Sequence, residues 1–85
     1  MFKRIRVHAG DTLQIKLPVN DMGRVVRAQI TKGSGTPIAR FQQYEDVFYV
    51  PAETTMRMSG TYKYEIAMTD GSVVRSVQYG ILEVL

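Results

Sequence analysis

The chain has 85 residues, 45% of them apolar and 22% charged, with no cysteine, no tryptophan, one histidine and a formal charge of +3. A chain this short buries only about 60–65% of its unfolded surface, so residues 1–85 are read as a single domain with one modest core. The lack of cysteine excludes a disulfide framework, a cysteine-based zinc site and thiol chemistry.

At the amino terminus, Met1-Phe2-Lys3-Arg4-Ile5-Arg6 carries charge but no following apolar run of signal-peptide length, and no window approaches a membrane span. The expectation is a protein that is intracellular when made, with no membrane association. Charge is uneven along the chain: residues 1–40 hold eight Lys/Arg against two Asp, and residues 41–85 hold three against six Asp/Glu. Such asymmetry favours head-to-tail contact with copies of itself or with a complementary partner, unless the two halves interleave in space.

Apolar residues recur with period 2, the signature of strands with one buried face. Ile5, Val7 and Ala9 alternate with Arg4, Arg6 and His8; after Gly10-Asp11, Leu13, Ile15 and Leu17 alternate with Thr12, Gln14 and Lys16. Pro18 to Gly23 gathers Pro, Asn, Asp and Gly, each a turn former for its own backbone reason. A third strand is expected over about Arg24 to Thr31. Gly33-Ser34-Gly35-Thr36-Pro37 reads as a flexible loop. Ile38 to Tyr44 and Val47 to Val50 read as two short strands broken near Glu45-Asp46. Ala52 to Met58 is either one helical turn or an irregular crossover, too short for a self-supporting helix.

Thr61 to Thr69 is the strongest strand, with Tyr62, Tyr64, Ile66 and Met68 on one face. Asp70-Gly71 signals a tight type I′ hairpin. In the return strand, Ser72 to Tyr79, the apolar parity conflicts with itself and calls for a bulge or an edge position. Gly80 is expected to interrupt that strand, and Ile81 to Leu85 to form a last one. The expected core is Ile5, Val7, Leu13, Ile15, Leu17, Val26, Ala28, Ile30, Phe41, Val50, Tyr62, Tyr64, Ile66, Met68, Leu82 and Val84.

Seven or eight short strands between turn signals predict an all-β fold, an antiparallel sandwich in preference to a small barrel. In Ser59-Gly60-Thr61-Tyr62-Lys63-Tyr64 a tyrosine follows a turn glycine by two and opens a long strand. This resembles the tyrosine corner of immunoglobulin-like domains, with Gly60, Tyr62 and Tyr64 as the structural corner and Tyr64 where antibody domains place a cysteine. The order Thr54/Thr55, Gly60, Tyr62, Tyr64, Asp70-Gly71, Gly80 and Val84, together with Gly10-Asp11-Thr12-Leu13 and Ala28-Gln29-Ile30, is similar to small immunoglobulin-like proteins encoded in the structural gene clusters of tailed bacteriophages and prophages. The resemblance implies a virion component or assembly factor of head, connector, tail or baseplate. Such a protein works by protein–protein interaction, without catalysis, and its partners are other phage structural proteins or itself.

No residue pattern points to an enzyme, a cofactor or a metal site. His8 has no second histidine, Glu45-Asp46 sits in a polar break, and Gly33-Ser34-Gly35 lacks the spacing and the following helix of a phosphate-cradling loop. The competing reading is a small nucleic-acid-binding β protein, drawn from a pI near 9.5 and from Lys3, Arg4, Arg6, Lys16, Arg24, Arg27 and Lys32. Against it, no surface aromatics are interleaved with these cations. The candidate interaction residues are Phe2, Arg4 and Arg6, which share the polar parity of the first strand; Met22, beside a turn glycine; and Ser34 and Gly35 in the flexible loop. An open sheet edge is a further route to contact.

Overall fold

The computed structural model describes residues 1–17, 23–33 and 36–85. Among these residues, eight strands and one helical turn follow in chain order: β1 (Ile5–Val7), β2 (Leu13–Lys16), β3 (Arg24–Thr31), β4 (Pro37–Arg40), β5 (Gln42–Tyr44), β6 (Val47–Val50), α1 (Ala52–Thr55), β7 (Gly60–Thr69) and β8 (Val74–Val84). They build a five-stranded sheet of order β1-β8-β7-β3-β4 and a three-stranded sheet of order β2-β6-β5. Neighbours are antiparallel except β1, which runs parallel to β8 with Ile5 opposite Leu82 and Val7 opposite Val84. The fold is therefore all-β with a mixed and an antiparallel sheet.

Alternation places one face of each sheet against a shared core. Leu13, Ile15, Phe48 and Val50 from the smaller sheet meet Ile30, Tyr62, Tyr64, Ile66, Met68, Leu82 and Val84 from the larger. Burial of a side chain such as Phe48, Ile66 or Leu82 contributes about 1.5–3 kcal/mol. Thr55 is fully buried and ties α1 to the β1–β2 turn: its hydroxyl accepts from the Gly10 amide and donates to the Asp11 carbonyl at 2.7 Å.

Several expectations need correction. Val26 is not core but 43% exposed, because a register shift between Val25 and Arg27 leaves it unpaired and turns Val25 inward instead. Ile5, Val7 and Ala28 are only half-buried, Ala9 is exposed, and Phe48 and Met58 join the core. The expected strand Ile38 to Tyr44 is two strands in different sheets. The chain changes sheet at Phe41, whose amide donates to Ala28 and whose ring packs edge-on to Tyr64, 6.4 Å between centroids. Pro37 opens the edge strand β4, a position where its missing donor costs nothing.

The β7–β8 hairpin forms, but not through a two-residue type I′ turn. Thr69 pairs with Val74, so four residues make the loop, and only Gly71 has positive φ. Asp70 organises it, its carboxylate accepting from the Ser72 and Val73 amides and the Ser72 hydroxyl. The parity conflict beyond it resolves as a bulge: Ile66 pairs with Gln78 and Ala67 with Ser76, leaving Val77 extra. Gly80 does not interrupt the strand, since β8 runs unbroken from Val74 to Val84.

Candidate functional site

The amino-terminal residues are fastened to β8 by main-chain bonds. The α-amino group donates to the Val77 carbonyl at 3.0 Å, the Tyr79 amide to Met1 at 3.0 Å and the Lys3 amide to Tyr79 at 2.8 Å. Beneath them, the buried Tyr64 hydroxyl donates to the Lys3 carbonyl at 2.6 Å and accepts from the Gln78 amide at 3.1 Å. Burial pushes the Tyr64 phenol above the usual tyrosine range, offset in part by the Gln78 bond. An exposed terminus is thus tied to the core by a hydrogen bond from the side chain at the middle of the strongest strand.

This fastening presents Phe2 beside Tyr79. The two residues form a parallel bridge, and their rings meet edge to face at 5.8 Å and 76°. Both stay accessible, Phe2 at 56% and Tyr79 at 42%, with Met1 more exposed still. Edge-to-face contact restricts the orientation of both rings on the surface.

Charges of both signs surround the patch. Arg4 and Arg6 approach the Glu83 carboxylate at 3.9 and 3.5 Å. Directly opposite Tyr79, on β7, Glu65 receives Arg27 at 3.0 Å and the Ser76 hydroxyl. These donors hold the Glu65 carboxyl below the usual carboxylate range, the Arg27 bond being the larger cause. Each of these pairs joins a residue of the basic half to one of the acidic half, so on this face the two halves interleave instead of forming poles.

Of the candidate interaction residues, Phe2, Arg4 and Arg6 come together at the β1–β8 border. Met22, Ser34 and Gly35 lie outside the described residues. The corner residues sit at the start of β7: Gly60 has φ +92°, and the Tyr62 hydroxyl accepts from the Ser59 amide at 2.9 Å while Lys32 lies over its ring at 5.0 Å. His8 is exposed, and Glu45 (φ 54°) with Asp46 forms the β5–β6 turn. No group of three or more His, Cys, Asp or Glu side chains gathers in metal-binding geometry among the described residues. None of their helices is long and apolar enough to cross a membrane.

Sequence reasoning missed Tyr79, Gln78 and Glu83. A signal existed in Tyr79-Gly80, because a glycine inside a strand marks a close backbone approach as often as a break. No protein-family model matches the chain, and a search of curated proteins matches nothing.

Proposed function

We propose that the chain is a non-enzymatic structural protein that works through protein–protein contact, its first partner being a second copy of itself. The observation that carries this reading is the exposed, edge-to-face Phe2–Tyr79 pair. Aromatic residues and arginine bury large area at small entropic cost, and interfaces are enriched in them. Arg4, Arg6 and Arg27 alternate on the same face with Glu65 and Glu83, so the face can meet its own copy with opposite charges opposed, as an isologous contact requires.

The scaffold we infer is an immunoglobulin-like β-sandwich. Support comes from a first strand lying parallel on the last, from the division of eight strands into facing sheets of five and three, and from the Tyr62 hydroxyl bonded back across the turn into β7. The likeness of Gly60, Tyr62, Tyr64, Asp70-Gly71 and Gly80 to small phage and prophage proteins extends the reading to a virion component or assembly factor, with neighbouring structural proteins as further partners. The test is Phe2→Ala: self-association weakens while thermal stability stays nearly unchanged. A large loss of stability with association intact would overturn the assignment.

A further inference from the structure

The open edges of the two sheets lie side by side. β1 ends the order of the larger sheet and β2 that of the smaller, so each has one side without a strand partner among the described residues. Between them runs a cleft of about 300 Å³. Lys3, Arg4 and Lys16 line it together with Ile5 and Ile15, and Gln78 reaches it from the core. Among the described residues no carboxylate lines it. Of the three cations only Arg4 has an acidic neighbour among the described residues, Glu83, and that contact is long at 3.9 Å.

We propose that this cleft binds an extended, acidic polypeptide segment, lying along the free strand edges with its carboxylates toward Lys3, Arg4 and Lys16. The inference deepens the reading of the chain as a protein-binding module by stating the chemistry of a second partner. Three features converge on it. An unpaired strand edge offers main-chain donors and acceptors that an extended segment can satisfy. Ile5 and Ile15 supply apolar contact for alternate side chains of such a segment. Three cations in a concave site, with no carboxylate among its described lining residues, favour an anionic occupant and disfavour a basic one. The cleft opens at the strand edges, whereas Phe2 and Tyr79 pair on β8.

The test is fluorescence anisotropy with a labelled peptide of alternating valine and glutamate, beside the same peptide carrying glutamine for glutamate. The glutamate peptide binds and the glutamine peptide binds at least about tenfold more weakly, with affinity falling as salt rises. The charge-reversed protein Lys3→Glu/Lys16→Glu, checked for folding by circular dichroism, loses at least about tenfold in affinity, whereas Phe2→Ala binds as the parent does. Amide chemical-shift changes in the unmodified protein provide a readout free of any variant, concentrated at residues 3–5 and 14–16. Equal binding of the two peptides, absence of binding, shift changes located elsewhere, or tighter binding of a single-stranded oligonucleotide of matched charge would each overturn the proposal. Peptide binding that fails while self-association persists refutes the cleft alone; self-association that fails while the peptide binds refutes the aromatic contact alone.

Discussion

The backbone of Lys3 passes directly against Gly80, so close that a Cβ at residue 80 would collide with the Lys3 carbonyl and amide. The contact lets the Tyr64 hydroxyl reach the Lys3 carbonyl from the core, and it seats the amino terminus on β8 at the height where Phe2 meets Tyr79. A single missing side chain therefore links the buried network to the exposed patch.

Gly80→Ala adds that Cβ to a residue at φ +154° and against main-chain atoms that cannot turn aside. The expected cost is about 2 kcal/mol or more, or a melting temperature lower by about 10 °C. Hydrogen exchange should accelerate first at the Lys3 and Tyr79 amides, and self-association should weaken with it.

Tyr64→Phe removes the donor to the partly buried Lys3 carbonyl and the acceptor for the buried Gln78 amide, and should cost about 1–3 kcal/mol. Tyr62→Phe deprives only the Ser59 amide and should cost about 1 kcal/mol. Denaturant midpoints of the two variants, compared at equal slope, check this order.

The pH dependence has two limbs of opposite sign. Glu65 is held below the ordinary glutamate range by Arg27 and then Ser76, so its contribution is present above that range and is lost as pH falls through the lower value of the folded state. Asp70, held down by the Ser72 and Val73 amides, acts in the same direction. Tyr64 is displaced upward by burial, so its contribution is complete below the ordinary tyrosine value of about 10 and declines as pH rises through and beyond it. Melting temperatures from neutral pH toward each extreme should fall on both sides; Glu65→Gln should flatten the acid limb and Tyr64→Phe the alkaline one.

A labelled duplex should remain unshifted by micromolar protein at low salt. Arg4 and Arg6 share the Glu83 carboxylate and Arg27 is paired with Glu65, so the arginines of this face present a mixed field, and not an unbroken basic stripe, to a phosphate backbone. A shift that collapses steeply with added salt would restore the nucleic-acid reading.

Period-2 alternation exposed most strands and the buried faces of β2 and β7, because each of those strands turns one clean face to the core. It misread positions where backbone geometry overrides parity. The bulge at Val26 turned an apolar residue outward, Phe41 carried the chain from one sheet to the other without a turn signal, and Gly80 looked like a break although β8 continues through it. The candidate face was half legible. Phe2, Arg4 and Arg6 stood out by parity on the first strand. Their partners Tyr79 and Glu83 lie more than 70 residues away, and only the parallel pairing of β1 with β8 brings them together.

The most direct test of the protein-contact reading is the solution mass by light scattering after size exclusion, from about 10 µM to 1 mM, for the parent and for Phe2→Ala. The expected result is a parent that moves from monomer toward dimer as concentration rises and a Phe2→Ala protein that stays monomeric while folded. A parent that remains monomeric throughout, or a variant that associates as the parent does, would contradict the assignment of the Phe2–Tyr79 face.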